Sequence, residues 1–423
     1  MNRTRIILAL ALFGLFSHAI SSQAQPEIPA SQTVNKIEDI VIYADERFHS
    51  AFPSVVKRPN GELIVAFRRA PERRIFGETS TSHTDPTSYL VLGRARDNGK
   101  TWSREPELLF AHPFGGSQDP CLLQLRDNSL LCASYGWALI KTNAIAKLRS
   151  PTMRHGEFVF MGGYLLRSRN GGASWDGPMI PPPVAAGDTY NVFGQPTPAY
   201  NRGAMVEDKN GKIYWAVAVS RPGNTDPATT RLKLHTASGT VPRKTETHLL
   251  ISSDRGNTWE YSCPIAQDDQ VTFNETSLYL TPKGNLVAFM RTANFNDHTT
   301  VARSTDGGKS FQPWQDAGFK GHPHHALRLP DNRVLLTYGY RHAPLGIRAR
   351  VLDPECTQLD SEEIILREDG GSTDLGYPWA TMISNNRILV TYYFNKQNGH
   401  RHIAGTILQF SKETSRNVRP LKR

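Results

Sequence analysis

The chain has 423 residues, 39% apolar and 21% charged, with a formal net charge of +10. That is enough apolar chain for a large core. Its Lys and Arg residues are spread without a dense block, which argues against a nucleic-acid partner and suits an acidic small-molecule or glycan partner. Cys121, Cys132, Cys263 and Cys356 lack metal-ligand spacing, so no metal or other cofactor is expected; Cys121 and Cys132 flank one turn, which leaves a pairing between them open.

The N-terminus reads as an export signal. Basic Met1-Asn2-Arg3-Thr4-Arg5 precedes the apolar run Ile6 to Phe16 and a polar exit ending Ser22-Gln23-Ala24. Cleavage after Ala24 predicts a mature chain over 25–423 that is soluble, without a membrane span, periplasmic or secreted, and monomeric. A strand is predicted around Ile37 to Tyr43. From there a turn bearing Gly or Asn, followed by an apolar β-branched run, recurs six times. The copies are Pro59-Asn60-Gly61 before Glu62 to Phe67, Asp127-Asn128 before Ser129 to Tyr135, and Lys209-Asn210-Gly211 before Lys212 to Val219. Pro282-Lys283-Gly284 before Asn285 to Met290, Pro330-Asp331-Asn332 before Arg333 to Tyr338, and Asn385-Asn386 before Arg387 to Phe394 complete the series. Each reads as the hairpin between the first two strands of a sheet.

A second phrase recurs four times, each copy downstream of one of the first four hairpins. It runs Asp97-Asn98-Gly99-Lys100-Thr101-Trp102, Asn170-Gly171-Gly172-Ala173-Ser174-Trp175, Asp254-Arg255-Gly256-Asn257-Thr258-Trp259 and Asp306-Gly307-Gly308-Lys309-Ser310-Phe311. Its Asp accepts backbone N–H bonds, its Gly supplies positive φ, and its aromatic packs under the next strand, so it is a later turn of the same sheet and not a site. Val351-Leu352-Asp353-Pro354-Glu355 reads as a decayed fifth copy. Helical periodicity is nearly absent. The repeats therefore predict an all-β, six-bladed β-propeller of one domain, closed by pairing the first strand with one around His402 to Phe410. The stretch between Lys141 and Met161 is the candidate loop over the mouth.

In such a ring the first strand of each blade starts at the end where ligands enter. Nine residues before each hairpin turn stand Phe52, Asp119, Arg202, Glu275, Pro323 (between His322 and His324) and Tyr377. Buried acids and Arg without partners are costly, so a ring of them is more economical facing a wet pocket of mixed charge.

These residues resemble the bacterial sialidases (neuraminidases), a family of six-bladed propellers with Asp-box turns. Asn274-Glu275 with Gly284 and Arg291 is similar to the segment holding the glutamate that activates the nucleophile and an arginine of the carboxylate-binding triad. Tyr377, in Asp374-Leu375-Gly376-Tyr377-Pro378, resembles the nucleophilic tyrosine. Asp85 resembles the acid/base aspartate, Asp119-Pro120 the Asp-Pro opening blade two, and Arg341 another triad arginine. The chain departs from the family at Ser50-Ala51-Phe52-Pro53, where Ala51 replaces the first triad arginine; Arg68, Arg69 and Arg202 are the candidates to replace it.

The resemblance implies retaining exo-hydrolysis of an acidic sugar, with catalytic Asp85, Glu275 and Tyr377. Arg68, Asp119, Arg202, Arg291, His324 and Arg341 would bind the substrate, an acidic glycan. Two other readings stay open. His49, His83 and the dense His322-Pro323-His324-His325 would suit a lyase or His-dependent glycosidase acting on uronic acids, and a propeller that only binds glycans would keep Glu275 and Tyr377 too far apart to share a proton.

Overall fold

The computed structural model describes residues 34–78, 84–222, 233–236, 239–241, 243–397 and 399–411; the expected signal segment and His83 lie outside them. Six antiparallel sheets follow one another along the chain. Blade one consists of Phe48–Lys57, Leu63–Pro71, Tyr89–Ala95 and Glu107–Phe110, and blade two of Gly116–Gln124, Leu130–Leu139, Phe158–Ser168 and Asp176–Met179. Blade three holds Val206–Glu207, Ile213–Pro222, Arg243–Ser252 and Glu260–Ala266, and blade four Phe273–Leu280, Leu286–Thr292, His298–Ser304 and Gln315–Lys320. Blade five is His324–Arg328, Val334–Tyr340, Gly346–Leu352 and Glu363–Arg367. Blade six takes Gly376–Ser384, Arg387–Phe394 and His402–Phe410 from the end of the chain and Val34–Tyr43 from its start, in register from Val34 opposite Phe410 to Tyr43 opposite Ile403. The ring is thus a six-bladed propeller closed by its two terminal strands, as the repeats predict.

The inner strands are covered on both faces, by their own sheet's neighbours in the ring. Leu63-Ile64-Val65-Ala66-Phe67 is accordingly a continuous apolar run, every residue fully buried, instead of an alternating one. Trp215 and Trp379 join the same core. The four Asp-type turns link third and fourth strands. In three of them the Asp accepts two backbone N–H groups and a hydroxyl, as Asp254 does from Asn257, Thr258 and the Thr258 Oγ1 at 3.1, 2.9 and 2.6 Å; Asn170 accepts from the Ser174 N–H. Trp259, from the third turn, packs on Trp215 at 5.3 Å. The decayed copy keeps its Asp: Asp353 accepts from the N–H groups of Glu355 and Gln358. Gly308 shows why the turn needs Gly, since φ is +82° and a Cβ would meet Leu249 at 2.6 Å.

Antiparallel order puts the first-to-second and third-to-fourth turns at one end, the base. The start of each first strand and every second-to-third loop lie at the other, the mouth. The stretch before Met161 is one of those loops: it forms a short 3-10 helix, Thr142–Lys147, and a strand, Thr152–His155, that widens blade two with Lys233–Thr236 and Gly239–Val241. One open question is answered and one expectation needs correction. All four cysteines are free: Cys121 Sγ instead accepts from the Arg202 guanidinium at 3.3 Å and the Gly203 N–H at 3.4 Å. The inner strand of blade three is only Val206–Glu207, so Arg202 precedes it in irregular backbone. Among the described residues no helix is long and apolar enough to cross a membrane.

Candidate active site

Four inner strands break register at the same place, between Ala51 and Ser54, Gln118 and Cys121, Asn274 and Ser277, and Gly376 and Trp379. The residues bulging there are Phe52, Asp119, Glu275 and Tyr377, with φ of 58°, 32°, 42° and 56°. Left-handed backbone at a non-glycine residue costs about 1–3 kcal/mol, and a bulge re-aims a side chain. That strain, repeated four times in one ring, re-aims four side chains at the mouth end of the inner strands.

Two of them meet. The Tyr377 hydroxyl donates to Glu275 Oε1 at 2.6 Å, and Arg291 Nη1 donates to Glu275 Oε2 at 2.7 Å and lies 3.5 Å from the Tyr377 hydroxyl. Burial opposes the Glu275 charge, but Arg291 and the Tyr377 hydroxyl outweigh it and hold the carboxyl at about 2. Burial and then the Glu275 charge push the Tyr377 phenol well above its ordinary range. At rest the phenol is neutral and the carboxylate ionised. The guanidinium carbons of Arg341 and Arg202 stand 5.5 and 5.3 Å from the Tyr377 ring centroid. Arg341 is fixed by the Leu375 carbonyl, at 3.1 and 3.0 Å. Arg202 is tied to the Pro53 carbonyl at 2.9 Å and to Cys121, which makes it a buried floor for the site. A cavity of about 90 Å³ opens beside Glu275 and Arg202, walled by Tyr135, Trp137, Phe160 and Tyr200 and reached by Met153 from the mouth loop.

The two other acids differ sharply. Asp85 is buried in a two-pronged ion pair with Arg73, at 2.7 and 3.1 Å, and accepts from the Thr87 N–H and hydroxyl. Burial opposes its charge, yet Arg73 and Thr87 hold its pKa below the usual range. Among the described residues the Asp119 carboxyl accepts only the Tyr135 hydroxyl, at 2.7 Å, on one oxygen; the other is buried without a partner. Burial pushes it up to about 6 against Arg202, with the Glu275 charge adding to the rise.

Ala51 lies directly opposite Arg68 in the antiparallel pair, so the two side chains share a face. Arg68 is fully buried, its guanidinium carbon 5.9 Å from the Phe52 ring centroid, and its Nε and Nη2 have no partner among the described residues. Its Nη1 is 3.4 Å from His49 Nδ1, and His49 Nε2 is 3.4 Å from Asp374, which also binds Arg401 and the Tyr393 hydroxyl. Arg69 is committed elsewhere, to the hydroxyls of Tyr89 and Tyr43. Of the three candidates to replace the guanidinium lacking at Ala51, Arg68 has the cross-strand geometry.

His324 starts the first strand of blade five at the mouth end, but its side chain is turned away from the site. Its ring lies between Phe289 and Tyr338, with centroids 6.3 and 6.1 Å away, and its Nε2 meets Thr299 Oγ1 at 2.8 Å, so it packs blade four on blade five. An aromatic slot with one hydroxyl is a better home for a neutral imidazole than the charged funnel. The histidine near the site is His322, 3.2 Å from Asp297, which also holds His342 at 3.2 Å. Burial and the Arg291 charge hold His322 at about 3, so its ring is neutral.

The model of a BNR repeat-like domain matches residues 160–390, just over half of the chain. The chain belongs to this BNR repeat-like family. A protein of unknown function from Dyadobacter fermentans is 56% identical, over 91% of this chain and 100% of that one, with a TM-score of 0.84. The NanB sialidase of Streptococcus pneumoniae superposes with a TM-score of 0.57 at 13% identity, covering 89% of this chain and 70% of its own. A Trypanosoma rangeli sialidase in complex with the inhibitor DANA gives 0.53 at 12%, covering 88% and 59%. No curated protein matches. At these identities the two sialidases establish the fold: the BNR repeat-like chain is a sialidase-like propeller.

Within it, sequence reading missed Tyr135, the partner of Asp119, and Arg73, the partner of Asp85. It also missed the Asp297–His322 pair and the network from Arg68 through His49 to Asp374. Only Arg68 had a readable signal, its place in the strand after the Ala51 departure. The others lie in loops or adjoining strands whose pairing appears only once the ring is closed.

Proposed function

We propose that this protein is an exported, retaining exo-glycosidase that removes a terminal acidic sugar, sialic acid or a relative, from a glycan. The single observation behind the reading is the 2.6 Å contact from Tyr377 to Glu275, with Arg291 beside both. A purely binding propeller has no use for a phenol poised on a carboxylate. Tyr377 Oη attacks the anomeric carbon as its proton passes to Glu275; the glycosidic C–O bond breaks, and the leaving oxygen takes a proton from Asp119. Water, giving its proton to Asp119, then attacks the anomeric carbon; the Tyr377 oxygen leaves and recovers its proton from Glu275. Asp119 takes the acid role in place of Asp85 because a carboxyl near 6 holds a proton at mildly acidic pH, whereas Arg73 keeps Asp85 ionised. Arg68, Arg291 and Arg341 hold the sugar's acidic group. When it draws on Arg291, Glu275 loses part of its counter-charge and becomes a stronger base.

Turnover is tested on a panel of sialosides, uronides and sulfated oligosaccharides with products weighed by mass spectrometry. Hydrolysis adds the mass of water, and Tyr377→Phe is expected to lose at least about 10³-fold in turnover with the far-ultraviolet spectrum unchanged. Wild-type-like turnover by Tyr377→Phe removes the nucleophile from the proposal. The Asp297–His322 pair favours a second reading, elimination from a uronate with neutral His322 as base, and that reading requires products without added water and an unsaturated chromophore.

A further inference from the structure

A second and larger cavity, about 620 Å³, opens on the mouth face of blade two, within the range that holds small-molecule ligands. It shares a wall with the funnel: in the strand Phe158–Ser168, Phe160 lines the small cavity beside Glu275, while the next residues, Met161, Gly162 and Gly163, line the large one. The loop over 191–198 forms its outer lip. Asn191 Oδ1 fixes that loop by accepting from the N–H groups of Phe193 and Gln195, both at 3.0 Å, and the Val192 N–H donates to the Phe160 carbonyl at 3.0 Å. Pro181, Pro183, Pro196 and Pro198 stiffen the rim, so a ligand would order little chain on entering.

Chemistry separates the two cavities. Among the described residues no Asp, Glu, Lys or Arg lines the large one, whereas Glu275, Arg202 and Arg243 line the small one. Beside the large cavity stand Phe193, in its lining, and Phe114, five residues before Asp119 in sequence. Their rings meet edge-on at 5.6 Å, 53% and 66% exposed, and His112 continues the row, 6.0 Å from Phe114 and 5.5 Å from Tyr164. Exposed aromatic rings stiffly held together offer the flat apolar surface that the C–H face of a pyranose covers, and the exposed Gln195 amide can bond its hydroxyls.

From these features we infer that the blade-two cavity is a binding site for neutral sugar units, the part of the glycan that continues beyond the acidic residue held in the funnel. The inference rests on the proposed reading of the funnel as a glycan site, but its test needs no turnover. The two can therefore fail separately.

The full chain is titrated with lactose, cellobiose and maltose, followed by saturation-transfer NMR. At least one disaccharide is expected to take up saturation, with Phe193→Ala or Phe114→Ala weakening its binding at least tenfold and Tyr377→Phe leaving it unchanged. No transfer to any of the three overturns the proposal, as does binding that survives both Phe variants or is lost in Tyr377→Phe, which would put the sugar in the funnel. Sedimentation velocity supplies the remaining arm. A concentration-dependent dimer abolished by Phe114→Ala would give this face to a second copy of the chain and overturn the saccharide assignment; a monomer at all concentrations agrees with it.

Discussion

At the base of the propeller positive φ falls mostly on Gly and Asn, and the turn acids Asp97, Asp254 and Asp306 have their oxygens filled by N–H groups and hydroxyls. At the mouth positive φ also falls on the bulged Phe52, Asp119, Glu275 and Tyr377, while among the described residues Asp119 Oδ1, Arg68 Nε and Nη2, and Arg291 Nε are buried without a partner. The turn acids at the base are thus satisfied on backbone carried mostly by Gly and Asn, whereas at the mouth the strain falls on four non-glycine residues, one of them an acid with an open valence. A fold maintains the second condition only where surrounding structure over-determines it, and such places are where ligands are handled. The contrast can be broken from either end.

The largest effect is expected at Asp119. Asp119→Asn should lower turnover by about 10²- to 10⁴-fold, since the amide cannot give up a proton, whereas Asp85→Asn should act chiefly through release of Arg73. Stability should move the other way. The folded pKa, about 6, lies above the ordinary 3.8, so the stability Asp119 contributes is fully present below about pH 3.8 and is lost as pH rises through 6. The difference corresponds to about 3 kcal/mol. Urea unfolding at pH 4 and pH 8 checks it: Asp119→Asn should gain on the wild type at pH 8 and not at pH 4. Equal curves at both values would show that the buried acid carries no such strain.

Arg68 comes next. Arg68→Met is expected to lower kcat/KM for an acidic substrate by about 10²-fold, mainly through KM, because a guanidinium gripping a carboxylate acts in ground and transition states alike. Returning the cation across the strand as Ala51→Arg in that background should recover part of the loss. Recovery would show that the two positions serve one face; no loss in the single variant would remove Arg68 from the anion site.

The sequence made the base legible and the mouth only partly so. Turn chemistry is local: Asp, Gly and an aromatic within six residues announce a turn wherever it lies in the ring, and counting back nine residues from Gly61, Asn128, Gly284 and Asn386 lands on the four strained positions. Their left-handed backbone was not readable, because nothing local marks Glu275 or Phe52 as non-extended. Partnership was not readable either. Asp85 looks as free as Asp119 until Arg73 is found on it, and His324 as available as His322 until Phe289 and Tyr338 close around it. Those distinctions arise from contacts between loops and neighbouring blades, which depend on ring closure and leave no periodic trace.

The smallest effect is expected at the base, and its smallness is informative. Asp254→Ala removes the acceptor of the Asn257 and Thr258 N–H groups and of the Ser252 and Thr258 hydroxyls, but these donors lie at an exposed turn where water can replace the carboxylate. A drop in Tm of about 2–4 °C is expected, with kcat and KM unchanged. Trp259 beneath it, packed on Trp215, would hold the turn in place. A large loss of turnover from this variant would mean that the base transmits to the mouth, and the division of the blades into a relaxed end and a strained one would have to be given up.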